Sequence, residues 1–167
     1  MKYGMKIFGV LMTAHWLEHL FQAYQVYVMH IPRTCALGML GMKYPWLIRT
    51  ESLHYAFAFL TCVGFIVAGW HYFESRAAVK LWTAGAAWSL WHLFEHSLLL
   101  GQSLSHRYLF GAHQPTSIIQ LFVPRIELHL FYNSIITLFM VWALIKEKSF
   151  LKKFGKVHED GCEICNC

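Results

Sequence analysis

Charge is what this sequence has least of. Asp, Glu, Lys and Arg make up 14% of its 167 residues, against roughly 25% in soluble domains. With 57% hydrophobic residues, that scarcity argues against an ordinary water-soluble fold. No segment alternates polar and apolar residues as barrel strands do, so helices are the spanning option. No glycine-rich phosphate loop is present, and no serine or cysteine nucleophile arrangement. The five cysteines are unevenly placed: Cys35 and Cys62 stand alone, and Cys162, Cys165 and Cys167 crowd the end. That is not the framework of a secreted disulfide scaffold. The net charge of +5 comes mostly from the C-terminal tail, which fits orientation and lipid contact rather than nucleic-acid binding.

What is present are four long apolar stretches, at about 5–29, 51–73, 79–101 and 124–146. About 20 helical residues cross a hydrocarbon core of about 30 Å, so the expected fold is all-α: an integral membrane four-helix bundle. The last helix either begins at about 124 or starts near Thr116 with Pro124 as a kink. The N-terminal run follows Lys2 and Lys6 but is interrupted by His15, Glu18 and His19. No small-residue cleavage site follows, so it is expected to remain as the first span. Residues 147–167 form a basic, cysteine-containing tail. With the N-terminus inside, nine Lys and Arg fall on inner segments and five on outer ones. This bias is expected to place both termini on the cytoplasmic side of the membrane. The connections 30–50 and 102–123 are too apolar for loose linkers and are expected at the interface.

The sequence repeats itself. "HWLEHLFQ" (15–22) and "HLFEHSLL" (92–99) both read H-x-x-E-H. "RTESLHYAF" and "PRIELHLFY" each give Arg, then Glu, then Leu-His. Two helical hairpins related by a pseudo-two-fold axis follow. Positions i, i+3 and i+4 share a helix face, so His15, Glu18 and His19 project together, as do His92, Glu95 and His96. Counted at 1.5 Å per residue from the outer helix ends, these residues, His54 and His129 fall in the outer half of the membrane. Ionisable groups at that depth are costly, and a bound cation offsets the cost.

The ligand set expected is therefore His15, Glu18, His19, His54, His92, Glu95, His96 and His129, with Glu127 as a further candidate. It exceeds the needs of one tetrahedral ion, and two metal ions fit better. Iron is the first choice, and zinc, copper or manganese also suit mixed N/O ligands. Glu127 and His129 lie about 200° apart on a regular helix, so Glu127 either binds through the kink or pairs with Arg125 or Arg49. Gln22, Arg125, Tyr132 and Asn133 are candidates to support the ligands. Cys162, Cys165 and Cys167 form a possible second metal site. His106 and His113 read as solvated loop residues.

The segments "HWLEHLFQAYQVY", "YPWLIRTESLHYAF", "WHLFEHSLLLGQ" and "PTSIIQLFVPRIELHLFYN" together resemble a family of small bacterial four-helix membrane proteins with H-x-x-E-H motifs. The resemblance spans most of residues 10–145. It implies the fold and brings no activity with it. A looser likeness joins the chain to membrane di-iron hydroxylases and desaturases, whose H-x-x-H-H boxes lie near the cytoplasmic face. Here the motif is H-x-x-E-H in the outer half, which departs from both the desaturase pattern and a cytoplasmic electron donor. The expected function is an oxygen-activating oxidoreductase acting on a lipophilic substrate from the lipid bilayer, with membrane subunits or a redox partner. The alternatives are a haem or quinone electron-transfer protein, and a metal carrier or accessory subunit of a larger membrane complex.

Overall fold

A computed structural model describes the backbone of residues 2–71 and 73–163, and the side chains of 4–47, 50–70 and 73–148. The described residues form an all-helical bundle without strands. Four helices are long: α1 (Lys2–Tyr27), α4 (Ser52–His71), α5 (Arg76–Ser105) and α6 (Arg125–Glu163). Two short ones, α2 (Gly38–Lys43) and α3 (Pro45–Arg49), lie between α1 and α4. The four long helices fall where the apolar stretches place them.

Two ends differ from expectation. Residues 116–123 are not helical beyond a 3₁₀ turn at Ile119–Leu121. Pro124 directly precedes α6 rather than kinking it, its carbonyl accepting the Leu128 amide at 3.0 Å. A proline's fixed φ and missing N–H suit a helix start, where no acceptor exists for that N–H. The tail of α6 continues as helix through Glu163. Cys165 and Cys167 lie outside the described residues, and Cys162 is described by its backbone alone.

The start of α5 is held by a serine cap and a buried acid. Ser75 caps α5 by accepting the Ala78 amide. Glu147 on α6 reaches across to accept the amides of Glu74 and Ser75 at 3.1 and 3.0 Å. A carboxylate near a helix N-terminus satisfies otherwise unpaired donors and complements the dipole.

The bundle is inverted in polarity. Its described side chains bury eighteen polar or charged residues and fifteen hydrophobic ones. Large apolar residues face outward, Val10 68%, Trp70 82% and Leu138 64% exposed among them. The apolar cluster of the interior lies at the end nearer the α4–α5 turn: Phe8, Met12, Phe65, Ala68, Trp82, Ile136 and Ala143. Trp82 donates its indole N–H to the Phe65 carbonyl there. Two segments, Ser52–Trp70 and Arg125–Lys148, are long and apolar enough to cross a membrane, and only 33% of each window is buried in the bundle. Helices α1 and α5 fall short of that hydropathy because each carries an H-x-x-E-H motif.

Candidate metal centre

All six histidines expected in one layer are buried, between 1% and 4% exposed, and they are in contact. Within α1 the His15 and His19 rings stand 4.6 Å apart at 84°. Within α5 the His92 and His96 rings stand 4.5 Å apart at 85°. The helical i, i+4 offset produces this pair twice, with nearly the same geometry. His54 meets His19 at 5.4 Å and His96 at 5.7 Å. His129 meets His96 at 5.0 Å and His19 at 4.9 Å. Each histidine of the shorter motif therefore touches both H-x-x-E-H helices. Three residues further along, Phe57 packs on His15 at 4.5 Å and Tyr132 on His92 at 4.7 Å.

Hydrogen bonds fix which nitrogens are free. His129 Nδ1 lies 2.7 Å from the Arg125 carbonyl. A carbonyl only accepts, so Nδ1 donates and Nε2 keeps its lone pair. That Nε2 stands 3.1 Å from His96 Nε2. Two nitrogens bound at roughly 2.1 Å to one tetrahedral ion are separated by roughly 3.4 Å. One ligand atom each from His92, His96 and His129 lie within 4.8 Å of one another, and this triad can hold a metal ion. On the other half, His19 Nδ1 donates to Gln22 Oε1 at 2.8 Å, which leaves its Nε2 for a ligand.

The unpartnered buried atoms gather in the same layer. They include His15 Nδ1, His19 Nε2, His54 Nδ1, both nitrogens of His92, His96 Nδ1 and Glu95 Oε1. Each unmet buried group costs on the order of 1–3 kcal/mol, and native structures carry few. Imidazole and carboxylate atoms left bare together are the donor set of a metal site.

The carboxylates divide. Glu95 stays with the layer, against Tyr132, whose hydroxyl accepts the Trp91 indole N–H at 2.9 Å. Glu18 turns one oxygen away: Oε1 accepts the amides of Leu40 at 2.9 Å and Gly41 at 3.5 Å, capping α2. Gly38, at φ +75°, is required there, because a Cβ would collide with that carboxylate. Glu127 is not brought to the histidines. It receives Tyr27 Oη and Arg33 Nη2, the latter at 2.8 Å. The 200° separation from His129 stands, and no kink at Pro124 rescues it. Those hydrogen bonds raise the Arg33 guanidinium above its ordinary value. Arg125 pairs with Glu51 instead, Nη1 donating to Oε1 at 2.7 Å and Nη2 to Oε2. Glu51 is 3% exposed and sits at φ +60°. Asn133 is buried at 1%, with its amide nitrogen unpartnered.

Two residues were not singled out by the sequence reading. Gln25 accepts the Gly38 amide at 2.9 Å and so pins the α1–α4 connection. Gln102 accepts the Leu109 and Thr116 amides at 3.0 and 3.3 Å and pins the α5–α6 connection. They follow His19 and His96 by the same six residues, an equality visible in the sequence once the repeat is known.

Beneath the two pinned connections lies a cavity of about 570 Å³ whose lining includes His19, His54 and His129. No family model, curated protein or solved structure matches this chain.

Proposed function

We propose that this chain is a multi-pass membrane metalloprotein whose imidazole layer binds two metal ions, one in each half of a pseudo-symmetric bundle. The observation that supports it best is six buried imidazoles in mutual contact, with bare nitrogens, inside a bundle whose outer surface is apolar. His92, His96 and His129 form one ligand set. His15, His19 and His54 form its counterpart, and Glu95 supplies a carboxylate. The exposed apolar surface favours all four long helices lying in the bilayer, since contiguous apolar faces of that extent are unsuited to water. The lysine-rich tail favours both termini in the cytoplasm.

Iron remains our first choice of metal, and oxygen activation the class of chemistry that a bound iron pair would supply. The residues of the chain do the rest. The Arg125 carbonyl and the Gln22 amide fix tautomer and ring direction at His129 and His19, which raises ligand basicity. The apolar cluster around Phe65 and Trp82 keeps water out from the side of the α4–α5 turn. The haem alternative fits less well, because the imidazoles touch one another and leave no gap for a macrocycle between facing ligands.

Metal analysis of protein purified in detergent tests this reading. The expected content is near two ions per chain, falling in His96→Ala and His19→Ala. Wild-type protein without metal, prepared under conditions that preserve it, overturns it. Metal that exchanges freely in solution redirects it to a carrier.

A further inference from the structure

The two halves of the imidazole layer repeat in sequence but differ in what surrounds them. Among the described residues, one set of three histidines brings a ligand atom of each within 4.8 Å of the others: His92, His96 and His129, in the α5–α6 half. Their counterparts in the α1–α4 half, His15, His19 and His54, are not gathered so closely.

The carboxylates deepen the difference. Glu95 keeps Oε1 buried and bare, and the Tyr132 hydroxyl hydrogen-bonds to its side chain. The matching glutamate, Glu18, gives Oε1 to the Leu40 and Gly41 amides. Phe57 follows His54 as Tyr132 follows His129, by three residues, and has no hydroxyl with which to hold a carboxylate in the layer. The α5–α6 half therefore offers three imidazoles and a carboxylate. The α1–α4 half offers three imidazoles.

Access differs as well. The cavity of about 570 Å³ beneath the two connections is lined by His19 and His54 of the α1–α4 half. Of the other half only His129 reaches it, and the His129 Nε2 is taken up at 3.1 Å from His96 Nε2. His19 Nε2 and His54 Nδ1 are buried and have no hydrogen-bond partner. The guanidiniums in the lining are each paired with a carboxylate, Arg33 with Glu127 and Arg125 with Glu51. The cavity thus has no charge preference of its own, and what it admits is selected by what the histidines hold.

We propose that the two halves hold inequivalent ions: a closed, tightly held one at His92, Glu95, His96 and His129, and an open, exchangeable one at His15, His19 and His54. The free coordination position of the second faces the cavity and takes a small oxygen- or nitrogen-donor ligand from it. This rests on the metal-centre reading and deepens it. Structural metal sites are closed by four protein ligands, whereas sites that bind a further molecule keep three and leave a position open. Gln22 fits that division. It takes the Nδ1 proton of His19, which aims Nε2 as a ligand on the half that has one donor fewer. A reacting molecule then meets the open ion, with the closed ion behind it across the His19–His129 contact of 4.9 Å.

Cobalt(II) titration of stripped full-length protein in detergent tests this. The protein carries Cys162→Ser, Cys165→Ser and Cys167→Ser, so that the tail contributes no thiolate. Against a competing chelator, two equivalents are expected, the second held about tenfold more weakly, the scale on which ligand surroundings change affinity. Imidazole added to the two-cobalt form is expected to shift the visible bands of the second ion and leave those of the first. Glu95→Gln is expected to weaken the first ion about tenfold. Glu18→Gln, whose amide oxygen still caps α2, leaves both unchanged. His54→Ala keeps the tight ion and loses the weak one, and His92→Ala does the reverse. Should a histidine variant fail to fold, the wild-type titration and the glutamine variants decide.

Cys35 lines the cavity and is exposed, whereas Cys62 is buried. A bulky maleimide on Cys35 is expected to slow removal of the second cobalt by EDTA several-fold and to leave that of the first unchanged. Equal slowing of both ions, or of neither, overturns the open position. Two equal affinities, or equal losses in Glu95→Gln and Glu18→Gln, overturn the inequivalence and leave the two-metal reading standing. A tight ion lost in His54→Ala and kept in His92→Ala overturns the assignment of the halves. Protein that binds no cobalt and carries no metal as purified overturns the metal-centre reading, and this inference with it.

Discussion

At the scale of the residue, the informative contrast is between Gln22 and Leu99, which occupy equivalent positions in the two repeats. Gln22 takes the Nδ1 proton of His19. Leu99 is 1% exposed and makes no such bond, so His96 Nδ1 is left bare. Since leucine already fits this position in one half, Gln22→Leu is expected to fold normally. It frees the His19 ring and is expected to weaken metal binding by about 10–100-fold, the usual effect of losing a ligand's supporting bond. Competition with a chelator of known affinity measures it. Gly38 is the other residue whose identity is dictated. Gly38→Ala places a Cβ at positive φ and against the Glu18 carboxylate, and about 1–3 kcal/mol of stability is expected to be lost. Thermal unfolding in detergent reads this, and an unchanged midpoint contradicts the contact.

At the scale of the element, acids that look like ligand candidates serve helix ends and connections. Glu147 ties α6 to the start of α5 through two backbone amides. Glu147→Ala removes two charge-assisted hydrogen bonds, each of about 1.5–3 kcal/mol at most. It is expected to lower the melting temperature while leaving metal content unchanged, because it lies at the end away from the histidines. The Arg125–Glu51 pair joins the start of α6 to the start of α4. Glu51→Gln strands a guanidinium whose side chain is one-third exposed. That exposure lets water screen the loss, so about 1–2 kcal/mol is expected rather than the 3–5 kcal/mol of a fully buried pair. A melting temperature equal to wild type would show that the pair is not made.

At the scale of the whole molecule, the arrangement is a polar middle between an apolar plug and a polar cavity, wrapped in exposed apolar side chains. Such a surface is expected to hold the protein in the membrane fraction through alkaline carbonate and high salt. Recovery in the supernatant contradicts bilayer insertion. The buried, bare imidazoles also predict that metal stabilises the fold. A ligand at a hundred times its dissociation constant adds about 2.7 kcal/mol. Stripped protein is therefore expected to melt several degrees below the loaded form and to recover on adding back the ion. Identical curves would mean that the layer persists without metal.

The sequence by itself determined much of this. Lengths and apolar content marked the four long helices, and the i, i+4 spacing paired His15 with His19 and His92 with His96. Equal depths on oppositely running helices brought His54 and His129 to the same layer. These features are local or periodic, so backbone geometry alone carries them. Only the tertiary structure decided where the carboxylates go. Glu18 and Glu127 each had a plausible ligand role, and each is drawn to an amide or guanidinium supplied by a distant segment: Leu40 and Arg33. A side chain of that length can reach several partners, and spacing along one helix does not rank them. The cavity, too, exists only where two connections, separated by most of α4 and α5, are drawn over the same three histidines.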